Sequence, residues 1–288
     1  MNLYQLTPCR ATRVELTGRY GSVPALRCPA SADAPIILLV PGYTGSKEDF
    51  APLLDPIADA GLEPIAIDLP GQFGAGGPPD PDAYLPTPLG AVVSELIGKL
   101  AADGRPVVLL GHSYGGLVSR AAVLAGAPVR GLTLLSSGPS ELPAGPRRQM
   151  LDLAEQVLQT HGLPALVQMR DLMERQNPVW AAQPDALKDF YRDRFRLTSQ
   201  ESLVGMAMGL RSEPDLVEPL GRRLETLGAP CLVACGAEDD AWPVSTQRDM
   251  AERLDADFAV IPDARHSPPT ENPQALLSVL LPTWRSWL

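Results

Sequence analysis

Between residues 36 and 135, short apolar runs of strand length alternate with longer stretches of helical periodicity. The first run, Ile36–Val40, consists of isoleucine, leucine and valine alone and is bounded by Pro35 and Pro41. Continuous apolar runs of this kind are typical of strands that are buried on both faces of a parallel sheet. Strands and helices in alternation imply right-handed crossovers, so we predict an α/β fold with helices on both faces of a mostly parallel sheet.

The same criteria predict the other elements of this core. Strands are predicted at residues 36–40, 64–67, 107–110, 132–135, 231–235 and 258–261. Two shorter alternating segments suit an antiparallel edge of the sheet, at residues 13–17 and 25–28. Helices are predicted at residues 47–60, 89–102, 115–125 and 272–287.

From residue 139 to residue 212 strand-like runs are absent, and residues at helical spacing replace them. We predict that this segment forms a helical cap over the carboxyl ends of the strands, where open α/β sheets bind ligands. The chain then divides into a core of residues 1–138 and 213–288 and a cap of residues 139–212. Four methionines of the cap either pack its interior or line an apolar substrate tunnel: Met169, Met173, Met206 and Met208.

Composition and charge exclude several classes of protein. Hydrophobic residues make up 45% of the 288 residues, as in an ordinary globular protein. The net charge of −10 disfavours nucleic acid and anionic lipid as partners. The apolar runs are far shorter than the roughly 20 residues of a membrane-spanning helix, so no membrane span is predicted. Residues 1–10 lack the pattern of a secretory signal, and we therefore expect a cytoplasmic protein.

The cysteines and histidines indicate neither a disulfide framework nor a metal site. Cys231 and Cys235 share a predicted strand, where four residues span roughly 13 Å, too far for a disulfide. Neither cysteine pair is backed by histidine at zinc-site spacing, because the chain has only three histidines. Pairing of Cys9 with Cys28 stays open.

The pentapeptide Gly-His-Ser-Tyr-Gly at residues 111–115 joins a predicted strand directly to a predicted helix. In this context the pattern G-x-S-x-G is a nucleophile elbow, a sharp turn that strains the serine. The turn needs small residues two positions before and after the serine, and Gly111 and Gly115 meet that need. The N-terminus of the helix directs partial positive charge toward the serine oxygen. We therefore predict that Ser113 is a nucleophile.

With this motif in place, the chain resembles the alpha/beta-hydrolase family over about residues 12–286, apart from the variable cap. It resembles in particular the serine esterases and lipases of that family. The resemblance implies a mostly parallel sheet of about eight strands, helices on both faces and a helical cap. It also implies a Ser-His-Asp triad that acts without a metal or an organic cofactor.

A serine nucleophile needs a base, and three histidines are candidates. His112 flanks Ser113 in the turn, so its side chain is expected to point away. His161 ends a predicted cap helix, where a surface role is expected. His266 follows the strand 258–261 and lies at the same edge of the sheet as Ser113; the catalytic histidine of the family stands in this loop. We therefore predict His266 as the base.

The base needs a carboxylate that orients it. The loop after the strand 231–235 resembles the Gly-x-x-Asp-x-x-x-Pro loop of the family, which places the acid at Asp239. The chain order Ser, Asp, His is then that of the family. Asp240 is adjacent and stays open as the alternative acid.

Two backbone N–H groups would stabilise an oxyanion. One is that of Tyr114, the residue after the nucleophile. The resemblance places the other at Tyr43, in the loop after the first buried strand. Asp68 resembles the structural aspartate of a family loop and is expected to hold that loop by hydrogen bonds.

These residues predict hydrolysis of a carboxylic ester with a small, apolar acyl substrate. A thioesterase, an amidase, a carbon–carbon bond hydrolase and a perhydrolase share the triad and stay open as alternatives. A non-catalytic protein that binds a small ligand on the same fold is the alternative outside the enzymes. The oligomeric state is not predicted.

Overall fold

A computed structural model describes residues 10–288. Its central sheet has eight strands. The strands are β1 Thr12–Gly18, β2 Gly21–Arg27, β3 Ile36–Val40, β4 Glu63–Ile67, β5 Val107–His112, β6 Gly131–Leu135, β7 Cys231–Gly236 and β8 Asp257–Ile261. Their order in the sheet is β1-β2-β4-β3-β5-β6-β7-β8. Strand β2 pairs antiparallel with β1 and β4, and all other neighbours pair in parallel. The predicted α/β fold with an antiparallel edge is confirmed.

The helices follow the strands in the predicted alternation. They are α1 Ala51–Asp59, α2 Pro86–Leu100, α3 Tyr114–Leu124, α4 Pro146–Gln176, α5 Pro178–Ala181, α6 Asp185–Arg196, α7 Gln200–Ser212, α8 Val217–Leu227, α9 Val244–Arg253, α10 Pro268–Glu271 and α11 Pro273–Trp287. Short 3₁₀ helices lie at Lys47–Phe50 and Pro81–Tyr84.

Both faces of the sheet are covered, which explains why its strands lack polar alternation. In β3 the side chains of Ile36 and Leu38 pack with residues of α2, α3, α8 and α9. The intervening Ile37 and Leu39 pack with residues of α1 and α11 on the opposite face. All four side chains are fully buried. Because successive strand residues point to opposite faces, each face needs its own apolar set.

The sequence prediction omits two core helices, α8 and α9. In α8 the buried side chains are Val217, Leu220 and Leu224, with charged residues between them. Their spacing of i, i+3 and i+7 is that of an amphipathic helix, so the sequence carries a signal for α8 that the sequence prediction did not use. Directly after His161, where the sequence analysis ends a helix, Gly162 interrupts α4 with a left-handed φ of 76°.

The segment between residues 139 and 212 contains helices α4 to α7, and we call it the helical insertion. Helix α7 buries Met206 and Leu210 in the cluster of the sheet core. Helices α4 and α6 contribute to a separate cluster with Leu158 and Phe195. The insertion therefore has apolar contacts of its own and a second set with the core. The division of the chain into core and cap stays a prediction.

Some sequence expectations fall on residues 1–9 and lie outside the described residues. These are the open pairing of Cys9 with Cys28 and the interpretation of the N-terminus. Cys231 and Cys235 are buried on β7 with free thiols. Within residues 10–288, no helix is long and apolar enough to cross a membrane.

Arg120, on the helix that begins after Ser113, holds both junctions of the insertion. Its guanidinium donates to the carbonyl oxygen of Pro139 and, at 2.6 Å, to the Glu213 carboxylate. Arg120 is 2% exposed and Glu213 is 6% exposed. A buried charge is tolerated when it is paired and hydrogen-bonded, and removal of one partner leaves the other uncompensated.

We expect Arg120→Met to lower the free energy of unfolding by about 3–5 kcal/mol, because Glu213 is left as an unpaired buried charge. The double variant Arg120→Met/Glu213→Leu should recover part of that loss. Urea denaturation followed by circular dichroism measures both values. The control is Arg222→Met, whose ion pair with Glu218 is exposed and contributes at most about 1 kcal/mol. Equal losses in the Arg120 and Arg222 variants would contradict the prediction.

Candidate active site

Ser113 stands in a strained turn between β5 and α3. Its φ of 55° and ψ of −121° are unusual for a residue with a side chain. Two backbone hydrogen bonds hold it there: Ser113 N–H donates to Leu135 O at 2.8 Å, and Gly116 N–H donates to Ser113 O at 2.8 Å. Backbone strain of this kind persists only where the surroundings fix it, and it is concentrated at functional sites.

Steric crowding around the turn explains the flanking glycines. A Cβ at Gly111 would overlap the carbonyl oxygen of Gly115. A Cβ at Gly115 would overlap the carbonyl oxygens of Val40 and Pro41, at the end of β3. The turn therefore packs backbone against backbone, as the sequence analysis requires of a nucleophile elbow.

His266 lies in the loop after β8 and reaches Ser113 across the end of the sheet. Its Nε2 is 2.9 Å from Ser113 Oγ. Its Nδ1 is 2.9 Å from Asp239 Oδ1, in the loop after β7. The structure thus brings together the serine, the histidine and the aspartate that the sequence analysis selected. Their catalytic roles stay a prediction.

The carboxylate of Asp239 has a hydrogen-bond donor on each oxygen. Oδ1 also accepts the Ala241 N–H at 3.0 Å, and Oδ2 accepts Gln247 Nε2 at 3.0 Å. The side chain of Asp239 is fully buried. Burial raises the pKa of Asp239, but the bonds from His266, Ala241 and Gln247 outweigh it, so its pKa is below the ordinary value. Asp239 is therefore ionised at neutral pH and favours an N–H on His266 Nδ1.

Asp240, the alternative acid, points away from His266. Its carboxylate accepts from Arg147 at 2.6 Å and from Arg265 at 3.1 Å. Its side chain is 39% exposed, against full burial for Asp239. The geometry therefore couples Asp239, and not Asp240, to the histidine.

The two predicted oxyanion donors lie beside Ser113. Tyr114 is the first residue of α3, so its N–H has no acceptor within the helix. Gly42 precedes Tyr43 and is so close that a Cβ there would lie 3.3 Å from Ser113 Oγ. Within residues 10–288, neither N–H donates to a protein acceptor. That the two groups form an oxyanion hole stays a prediction.

His112 is a site residue whose contact the sequence analysis missed. Its Nε2 lies 2.7 Å from the backbone oxygen of His266, and because a carbonyl accepts, His112 carries its proton on Nε2. Burial, together with a smaller effect of the nearby His266, lowers the pKa of His112 to about 4. His112 is therefore a neutral donor that fixes the His266 backbone. His161, the third histidine, is exposed on α4.

The loop that carries His266 has a second anchor in Glu271. One carboxylate oxygen of Glu271 accepts the backbone N–H of Arg265 at 2.7 Å and that of Ser267 at 3.0 Å. These residues flank His266 on both sides. Glu271 thus fixes the two residues that flank His266, and His112 fixes the backbone of His266 itself.

Gln247, on α9, was also missed by the sequence analysis. It is fully buried, and its Nε2 donates to Asp239 and, at 2.9 Å, to the Trp242 carbonyl oxygen. Gln247 therefore orients the carboxylate of Asp239, which in turn contacts His266. A single glutamine in a polar helix gives no sequence signal for this role.

A cavity of about 350 Å³ opens at Ser113 and His266. One part of its wall is apolar: Leu142, Met150, Leu151, Ala154, Leu210 and Trp242. Another part is polar and includes Asp49, Tyr191 and Arg194. Of the methionines that the sequence analysis considered, Met206 is buried in the core and Met173 is 40% exposed.

Asp68 holds a loop, as expected, by accepting from the backbone N–H of Lys47 at 2.8 Å and from its Nζ at 2.6 Å. Burial raises the pKa of Asp68 to about 6 in spite of this lysine. In the described part of the chain, no three side chains of His, Cys, Asp or Glu converge in a way that could hold a metal ion.

The sequence matches the model of the Alpha/beta hydrolase family over residues 37–279. No curated protein sequence matches the chain.

Several solved structures share the fold. A carboxylesterase from the thaumarchaeon Nitrososphaera gargenis has 18% identity and a TM-score of 0.74, with 95% of this chain and 98% of that chain covered. A thermophilic esterase from Thermogutta terrifontis has 21% identity and a TM-score of 0.74, with 96% and 99% covered. The enol-lactonase from Burkholderia xenovorans LB400 has 20% identity and a TM-score of 0.71, with 95% and 99% covered. At these identities the likeness concerns the fold alone.

The lowered pKa of His112 predicts a specific pH dependence of stability. Between about pH 6.5 and pH 4 the unfolded chain binds a proton at His112 and the folded chain does not. Stability should therefore fall as pH decreases through this window, by up to about 1.4 kcal/mol per pH unit for one proton.

Denaturant titrations at several pH values test this dependence with His112→Gln, which keeps a donor toward His266 O but does not titrate. In this variant the free energy of unfolding should depend less steeply on pH in this window, because one titrating group is absent. His161→Gln, which changes an exposed histidine, should leave the slope unchanged. A wild-type slope retained by His112→Gln would contradict the prediction.

Proposed function

The chain belongs to the alpha/beta hydrolase family, and on that premise we propose that it hydrolyses carboxylic esters through an acyl-enzyme on Ser113. The observation that carries the proposal is the hydrogen-bonded series from Ser113 Oγ to His266 Nε2 and from His266 Nδ1 to Asp239. A serine hydroxyl is a weak nucleophile, and a base within 2.9 Å of its oxygen makes it a strong one.

In the first half-reaction Ser113 Oγ attacks the ester carbonyl carbon while His266 Nε2 takes its proton. Asp239, ionised at neutral pH, stabilises the imidazolium. The negative carbonyl oxygen accepts hydrogen bonds from the N–H groups of Tyr43 and Tyr114. The C–O bond to the alcohol then breaks, and His266 returns the proton to the leaving oxygen.

In the second half-reaction a water molecule takes the place of the alcohol. His266 removes its proton as it attacks the acyl carbon, and the same N–H groups hold the second oxyanion. Collapse of this intermediate releases the acid and returns the proton to Ser113 Oγ. The water thus supplies the proton that replaces the one transferred from Ser113 to the alcohol.

The choice of an ester bond is supported by the fold relatives and by the cavity wall. The fold relatives named above are a carboxylesterase, an esterase and an enol-lactonase, and a lactone is a cyclic ester. The apolar wall around Leu142, Leu151 and Leu210 suits a small acyl chain. The chain is accordingly proposed to take a small-molecule ester.

Wild-type protein should hydrolyse short and medium 4-nitrophenyl esters and react with a fluorophosphonate probe. Ser113→Ala should lose at least about a thousandfold in kcat and all labelling, because the nucleophile is absent. Release of 4-nitrophenol and gel fluorescence measure the two effects. The control is Ser286→Ala, an exposed serine on α11.

If folded wild-type protein neither turns over nor labels, the esterase proposal is wrong. The same assay repeated with acyl thioesters then tests the thioesterase alternative.

A pair of adjacent variants tests the role of Asp239. Asp239→Asn should lower kcat by a factor of about 10⁴, because an amide favours the wrong tautomer of His266. Asp240→Asn should change kcat less than about fivefold, since it loses only exposed ion pairs. Steady-state kinetics on one ester, with circular dichroism to verify folding, separates the two. A large loss in Asp240→Asn alone would transfer the role to Asp240.

A further inference from the structure

Arg194 is a buried cation in the wall of the cavity that contains Ser113. It belongs to α6 of the helical insertion, and its side chain is only 6% exposed. Its guanidinium lies over the ring of Tyr191, with Cζ 4.4 Å from the ring centre. Burial of an arginine is costly unless its donors are used.

Only one corner of this guanidinium is engaged by the protein. Nη1 donates to Asp49 Oδ1 at 2.6 Å and lies 3.5 Å from Ser46 Oγ. Nε is buried and, among the described residues, has no acceptor. Nη2 also has no acceptor in residues 10–288. Nε and Nη2 are therefore two adjacent donors without a protein acceptor in residues 10–288, on a residue that lines the cavity.

The geometry of these two unpaired donors indicates what they bind. Two parallel N–H groups of a guanidinium match the two oxygens of a carboxylate, and such bidentate pairs are the strongest hydrogen-bonded ion pairs in proteins. Asp49 accepts from Nη1 of Arg194 and also accepts the Ser46 N–H at 3.1 Å. The guanidinium is therefore fixed in place before a ligand binds. The aromatic ring of Tyr191 restricts its rotation further.

We propose that Arg194 binds a carboxylate of the substrate, so that the preferred substrates are anionic esters with a free carboxylate besides the ester group. The inference rests on the proposed esterase function and adds the substrate class. The cavity of about 350 Å³ limits these substrates to small molecules. Its apolar wall then faces the hydrocarbon part that joins the carboxylate to the ester.

The test compares two esters that differ in charge at one end. Mono-4-nitrophenyl adipate carries a terminal carboxylate, and 4-nitrophenyl hexanoate has a methyl group there. Wild-type kcat/KM, corrected for spontaneous hydrolysis, should favour the adipate by about tenfold or more. Arg194→Met should lower that ratio at least tenfold. Arg194→Lys should retain only part of the preference for the adipate, because lysine keeps the charge but lacks the two parallel N–H groups of the guanidinium.

Two further variants separate the anion site from general effects. Arg194→Met/Asp49→Asn avoids an unpaired Asp49, and the ratio should stay low in it. Arg192→Met removes the same charge from the same helix, but Arg192 pairs with Asp171 and Asp189 away from this cavity. The ratio should stay at the wild-type value in Arg192→Met.

The outcomes separate this inference from the esterase proposal. If wild type hydrolyses the hexanoate but does not prefer the adipate, or if Arg192→Met lowers the ratio as much as Arg194→Met, the anion site is refuted and the esterase function stands. If wild type hydrolyses neither ester, the esterase function is refuted. Calorimetric titration of Ser113→Ala with adipate then decides the anion site alone: binding that Arg194→Met abolishes supports it, and absence of binding overturns it.

Discussion

The close backbone packing around Ser113 is the constraint on which the rest of the site depends. Gly115 leaves no room between α3 and the end of β3, so the first turn of the helix is fixed against the neighbouring strand. The same contact brings the loop after β3 next to Ser113, where Gly42 adjoins the serine. One close backbone contact therefore sets the direction of the serine and the position of the loop after β3 beside it.

The histidine needs a separate means of positioning, because it lies on a loop. The donors and acceptors around it come from distant parts of the chain: His112 from β5, Asp239 after β7 and Glu271 from α10. Gln247 extends this support by one more hydrogen bond, to the carboxylate. Since most of these groups are buried, their bonds are not exchanged for water and the loop has one preferred arrangement.

The sheet and Ser113 could be predicted because their signals are local, whereas His266 and Asp239 were selected with the help of the loops that resemble those of the family. Ile36–Val40 is a continuous apolar run, and Ser113 lies in a five-residue pattern with a strand before it and a helix after it. Gln247 and the bond from His112 to His266 could not be predicted, since each depends on residues that only the folded sheet brings together. The unpaired donors of Arg194 could not be predicted either, because a charged residue on an amphipathic helix is ordinarily exposed.

Arg120 has a consequence for how this fold can vary. It binds Pro139 and Glu213 at once, so the two ends of the insertion meet at a single buried side chain. A segment whose ends are close together and fixed can change its length or be replaced at a small entropic cost. A change of length between Pro139 and Glu213 therefore need not move the two ends apart on α3. Residues of the insertion that line the cavity, such as Leu142 and Leu151, can then vary without a change in the backbone around Ser113.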